Sequence, residues 1–163
     1  MKKIAVFADV QNLYYTVRDG LAGQFNYAAW WQELAQRGQI TEAHAFAIER
    51  GDSRQQQFQQ ALRDLGFTVH LKPFIQRKDG SAKGDWDVGI TIAAMDAARH
   101  VDELVLGSGD GDFDRLLERV KQDGVNTVVY GVPGLTAFSL QRAANEFRSI
   151  DDTLLMRSSP RTR

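Results

Sequence analysis

Glu103-Leu104-Val105-Leu106-Gly107-Ser108-Gly109-Asp110-Gly111-Asp112-Phe113 is the stretch on which the fold turns. Its apolar run is too short for a helix and stops at glycine, as a strand buried on both faces does. An acidic, Gly-rich turn follows. Phe113, Leu116, Leu117 and Val120 then recur at the spacing of one helix face. Strand, acidic turn and helix make up half of a parallel unit, and the pattern repeats outward in both directions. Upstream, residues 3–8 form an apolar run that ends in Asp9, and 12–19 read as a helix closed by Gly20. Residues 27–37 are helical and 42–49 a strand. Asp52 or Ser53 caps a helix whose Phe58, Ala61, Leu62 and Leu65 share a face. Residues 67–71 are a strand and 87–99 a helix rich in small residues. Downstream, 125–130 is a strand, and Leu140, Ala143, Ala144 and Phe147 predict a closing helix over 139–147. Such alternation predicts an α/β fold, with a central, mainly parallel sheet between two helical layers. One domain over 1–155 is expected, followed by a basic tail at 156–163 without fixed structure.

The composition fits one globular domain. Of 163 residues, 43% are hydrophobic and 25% charged, enough for a sizeable core. The absence of cysteine removes disulfides, thiolate metal sites and cysteine nucleophiles, and fits a reducing, cytoplasmic setting. The N-terminal apolar run ends too early for a signal sequence, and no stretch is long enough to span a bilayer, so no membrane partner is expected. The net charge of -1 speaks against a broad electrostatic footprint for nucleic acid, though not against a local basic surface.

In open parallel sheets, ligands bind beyond the carboxyl ends of the strands. Asp9 closes the first strand, Asp110 and Asp112 follow the fourth, and Asp87 opens a helix facing the same edge. Four carboxylates brought together repel one another unless a cation neutralises them, and hard oxygens suit Mg²⁺ or Mn²⁺. Asn12 and Ser108 are placed to orient a carboxylate or a water. Each aspartate taken alone is as well explained as a helix cap, so the weight rests on the cluster. Lys72, Arg77, Lys78 and Lys83, in the polar stretch 72–84, read as a loop or loose hairpin that could hold a phosphate backbone. The commoner meaning of such a run is a solvated loop.

Other motifs fail on particular residues. The Gly-rich turn lacks the third glycine of a dinucleotide loop, with Asp112 in its place. Asp110, Asp112 and Asp114 imitate a calcium loop until Arg115 replaces the required glycine. An aspartyl phosphatase would favour a second Asp at position 11, which is Gln11. His44, His70 and His100 show no ligand spacing, and Trp30 and Trp31 read as core and rim rather than a base-stacking platform.

Three segments resemble one family. Phe7-Ala8-Asp9-Val10-Gln11-Asn12-Leu13, Lys83-Gly84-Asp85-Trp86-Asp87 and Ser108-Gly109-Asp110-Gly111-Asp112-Phe113 resemble, in order and spacing, motifs of the NYN domain family, the LabA-like branch of the PIN-domain superfamily. The resemblance spans residues 3–151. It implies a PIN-like Rossmannoid three-layer sandwich and a metal-dependent nuclease acting on RNA. Asp9, Asp87, Asp110 and Asp112 would form the acidic centre, supported by Asn12 and Ser108. The chain departs from the pattern at Asn145, where the family often carries an aspartate. The first expectation is therefore an Mg²⁺- or Mn²⁺-dependent ribonuclease whose partner is RNA, with a homodimer left open. Its rivals are a non-catalytic RNA- or protein-binding module on the same fold and a phosphatase for small esters.

Overall fold

A computed structural model of the chain describes residues 1–73, 75–76, 82–83 and 85–156, the two short central pieces as backbone. Six strands form one all-parallel sheet in the order β3-β2-β1-β6-β7-β8. They are β1 (Lys3–Asp9), β2 (Gln39–Glu49), β3 (Thr68–Pro73), β6 (Glu103–Gly107), β7 (Asn126–Gly131) and β8 (Glu146–Ser149). A separate antiparallel pair, β4 (Ile75–Gln76) and β5 (Ala82–Lys83), lies inside the stretch expected to be a loop or hairpin.

Alternation along β1 sorts the two helical layers. Ile4, Val6 and Ala8 pack on one face with residues of α1 (Val10–Leu21), α2 (Tyr27–Arg37) and α3 (Ser53–Leu65), among them Leu13, Val17, Trp30, Leu34 and Leu62. Ala5 and Phe7 pack on the other with α4 (Asp87–Ala97), α5 (Asp114–Gln122) and α6 (Phe138–Ala143), through Ile90, Leu116, Leu117 and Leu140. Because both faces are covered, six of the seven β1 residues are buried, Asp9 among them. Among the described residues, no helix is long and apolar enough to cross a membrane.

The chain runs outward from β1 through β2 to β3, then returns to β1's other side and runs outward through β6, β7 and β8. Strand order therefore reverses between β1 and β6, whose residues Ala8 and Gly107 are register partners. That reversal opens the crevice in which open α/β sheets bind ligands.

One element differs from the sequence expectation. The closing helix ends at Ala143, Ala144 is extended, and Glu146–Ser149 form β8 against β7. Three bonds hold the chain there. The Asn145 carboxamide oxygen accepts from the backbone and hydroxyl of Thr127 at 2.8 and 3.0 Å, and the Thr127 hydroxyl accepts from the Asn145 amide at 3.0 Å. Leu140 and Ala143 are buried as helical spacing predicts, but Phe147 belongs to a strand. Asn145 thus sits beside the start of β7, at the opposite sheet edge from Asp9, and the departure from the family pattern does not touch the acidic group. The tail expected at 156–163 lies outside the described residues except for Met156.

Candidate metal centre

Asp9 is where β1 stops and α1 begins. Its side chain makes no capping hydrogen bond to the helix; the carboxylate instead accepts the buried Ser108 hydroxyl at 2.9 Å. The Ser108 oxygen in turn accepts the Asp110 amide at 3.2 Å. One hydroxyl therefore joins the ends of β1 and β6. Asn12, in the first turn of α1, makes a second tie by accepting the Gly109 amide at 2.8 Å. The carbonyl of Gly109 accepts the Ala137 amide at 3.0 Å, so the residue is held through both its N–H and its C=O. No other residue fits there: a Cβ on Gly109 would lie 2.4 Å from the Leu135 carbonyl oxygen.

Asp87 arrives from the other layer as the first residue of α4. What fixes it is the residue before it. The Trp86 indole N–H donates to the Ala47 carbonyl at 2.9 Å, and its ring packs against Phe46 and His70. Gly89 lies under that ring, where a Cβ would come within 2.6 Å of it. The Lys72 ammonium sits 4.4 Å over the same ring and donates to the Asp85 carbonyl at 2.6 Å. The Asp85 carboxylate accepts the Asp87 amide at 3.2 Å. Lys72 is thus occupied in holding the chain that presents Asp87. Arg77 and Lys78 lie outside the described residues, and Lys83 is described only as backbone, in β5.

The result is a group of three carboxylates. Asp9, Asp87 and Asp110 each offer an oxygen within 4.8 Å of the others'. Asp112 does not join them. It is exposed on the 3-10 turn Gly111–Phe113, where its amide donates to Asp110 at 2.9 Å. Asp110 therefore does cap a turn, as the simpler reading of an aspartate holds, while also facing the other two acids.

Crowding shows in the acidities. Burial, assisted by the charge of Asp110, pushes Asp9 up to about 6 in spite of the Ser108 hydrogen bond. Burial and then Asp110 push Asp87 up to about 7. None of the three is ion-paired among the described residues. Three hard carboxylate oxygens this close suit an Mg²⁺ or Mn²⁺ ion. Ligands about 2.0–2.1 Å from such an ion lie at most about 4.2 Å apart, so a small side-chain adjustment would close the set.

The sequence pointed to Asp9, Asp87, Asp110, Asn12 and Ser108, and the structure brings these five together. It did not point to Trp86 or Gly89. The only available signal was a large aromatic directly before an acidic helix start, with a glycine three residues on.

The chain is similar to several known proteins. The family model for the NYN domain matches residues 3–151. The low amplitude and bright protein LabA of Synechococcus elongatus is 28% identical over 163 residues, covering 92% of this chain and 84% of that protein. A crystal structure of a protein of unknown function from Vibrio parahaemolyticus is 49% identical, with a TM-score of 0.89, covering 95% of this chain and 96% of the other. Ribokinase from Giardia lamblia, 10% identical with a TM-score of 0.53 over 91% of this chain and 58% of its own, shares the fold alone.

Proposed function

The chain belongs to the NYN domain family, and from that premise we propose that it is a divalent-metal-dependent ribonuclease. The observation that carries this reading is the carboxylate group Asp9, Asp87 and Asp110 at the point where strand order reverses. A structural acid at that density would need neutralising side chains, and none is paired with it among the described residues. The family's nuclease-like fold supplies the class of chemistry.

Asp9, Asp87 and Asp110 would hold one Mg²⁺ or Mn²⁺. Bound there, the ion supplies Lewis acidity that lowers the pKa of water and offsets charge building on a phosphate. The chain's own residues do the rest. Ser108 holds the Asp9 carboxylate in one orientation, and Asn12 fixes the turn that presents Asp110. Trp86 and Lys72 fix the start of α4 and so the position of Asp87. Asp112, exposed beside the group, would accept hydrogen bonds from water or substrate. Arg77, Lys78 and Lys83 would contact the phosphate backbone. Lys72 is better spent on positioning than on RNA.

The test is cleavage of end-labelled single-stranded RNA by the purified protein with Mn²⁺, Mg²⁺ or EDTA, beside Asp110→Asn. Metal-dependent shortening by the wild type alone is expected. RNA bound equally well in EDTA and never shortened would replace the enzyme with a binding module.

A further inference from the structure

Two neighbouring helices of the same layer meet solvent in different ways. α5 buries Leu116, Leu117 and Val120 and turns Arg115, Glu118 and Arg119 outward, as an amphipathic surface helix does. α4 buries Ile90, Ala94 and Ala97, yet its outer face is apolar as well. Val88 is 72% exposed, Ile92 59% and Met95 40%. These positions follow the i, i+4, i+7 spacing of one helix face, so the three side chains form a stripe. Scattered exposed apolar residues are ordinary, but a stripe along a whole helix marks a surface that another body covers.

The two ends of the stripe carry opposite charge. Asp85 is exposed just before α4, and Arg99 is exposed just after the Ala98 that caps it. Each lies seven residues from Ile92. Arg99 makes no ion pair among the described residues. Beside the C-terminal half of the stripe, Met95, Ala98, Arg99, Arg119 and Asp123 line a groove of about 460 Å³ between α4 and α5. Asp123 pairs with Arg119 at 2.8 Å, so the acid of the groove is already taken. The same stripe turned end for end matches these features. About a two-fold axis at Ile92, each Ile92 meets its own copy and Val88 of one protomer enters the groove beside the partner's Met95. Arg99 of each then faces the partner's Asp85.

We propose that the outer face of α4 is the interface of a homodimer, in which two copies of the helix pack antiparallel across a two-fold axis at Ile92. An unrelated partner needs only the apolar stripe. Opposite charges at equal distances from Ile92 are what a self-complementary contact needs. The net charge of -1 leaves little repulsion between copies. An 11-residue helix is about 16 Å long, so the contact lies at the small end of stable interfaces, and the groove beside α5 widens it. The interface requires neither metal nor RNA, so it stands apart from the ribonuclease reading.

Because the chain has no cysteine, single introduced cysteines report the geometry directly. Ile92→Cys, Val88→Cys, Met95→Cys and, on the other layer, Gln60→Cys are oxidised with copper phenanthroline, and disulfide-linked dimers are followed on non-reducing gels. Ile92→Cys is expected to cross-link with itself about 10-fold faster than Gln60→Cys or more. An equal mixture of Val88→Cys and Met95→Cys, one of them tagged, should form the mixed dimer faster than either like pair. Sedimentation of the full chain without cysteine should show a concentration-dependent shift to twice the mass of one chain. Ile92→Glu should weaken that association by about 100-fold and Arg99→Glu by about 10-fold. All five positions are exposed, and thermal melting checks that each variant folds. A wild type that stays monomeric at about 200 µM overturns the proposal, and a stripe covered by a different protein gives that result. So does a dimer that Ile92→Glu leaves intact, an Ile92→Cys that cross-links no faster than Gln60→Cys, or a Val88→Cys pair that outpaces the mixed one.

Discussion

The sheet carries buried acids at both edges and treats them in opposite ways. At the edge where β6 begins, Glu103 is fully buried and surrounded by donors. Arg37 reaches it with two nitrogens at 3.0 Å, Asn126 with one at 2.8 Å and Lys2 at 3.2 Å. Arg37 also bridges to Glu146 on β8 at 3.1 Å. Burial alone would raise Glu103, but these partners outweigh it and hold the carboxyl below its usual range. At the edge where β1 and β6 end, Asp9, Asp87 and Asp110 face each other without a paired cation among the described residues, and two of them are pushed up. An acid that serves the fold is neutralised by the chain. An acid group left unneutralised at a ligand crevice is held ready for something from outside.

The widest separation between the two edges should come from activity. Asp87→Asn should lower metal-dependent RNA cleavage by about three orders of magnitude, roughly 4 kcal/mol in the barrier. Glu103→Gln should leave cleavage per folded molecule nearly as it was. In urea unfolding the order reverses. Arg37→Ala leaves a buried carboxylate short of its main partner and should cost about 3 kcal/mol, while Asp87→Asn should unfold no more easily than wild type when EDTA is present.

The pH dependences should also run in opposite directions. The raised pKa of Asp9 means that the folded state binds a proton more tightly than the unfolded chain does. Its favourable contribution is complete below the ordinary aspartate range and is lost as pH rises through about 6. A shift of that size corresponds to about 2–3 kcal/mol. Asp87 acts in the same sense up to about pH 7. EDTA-treated protein should therefore melt at lower temperature at pH 8 than at pH 5.5 on account of these groups, with Mn²⁺ restoring much of the difference at pH 8. Glu103, held low, contributes stability above the ordinary glutamate range and loses it on acidification. Melting below pH 4 should therefore be blunted in Glu103→Gln but not in Asp9→Asn.

Smaller effects probe the supports of the site. Ser108→Ala removes the hydroxyl that orients Asp9 and should weaken Mn²⁺ binding by about 10–100-fold, measured by titration calorimetry. Trp86→Phe keeps a ring on Phe46 and His70 but loses the bond to Ala47. It should weaken the ion by less than Ser108→Ala, and Trp86→Ala by more than Trp86→Phe.

Legibility in the sequence divides along the same line. The crevice could be read because short apolar runs stop at aspartate or at a Gly-rich acidic turn, and the ends of parallel strands are where ligands bind. Asn12 and Ser108 were legible through their closeness to those aspartates. The paired edge was not legible. Glu103 opens a strand and looks like any polar boundary residue, and its partner Arg37 is 66 residues away with no local pattern to join them. The edge strand β8 was hidden for a related reason. Leu140, Ala143, Ala144 and Phe147 keep helical spacing by coincidence, and the bonds that break the helix run from Asn145 to Thr127, 18 residues earlier. Asp112, two residues from Asp110, is exposed on the 3-10 turn and stands outside the group of three, a distinction that depends on the fold of the turn and not on spacing in the sequence.

The most direct test of the contrast is calorimetric titration of Mn²⁺ into metal-free wild type, Asp87→Asn and Glu103→Gln at pH 8. A saturable site in wild type and Glu103→Gln, lost in Asp87→Asn, is the expected result. Equal binding in wild type and Asp87→Asn, or no binding in wild type, would contradict the account.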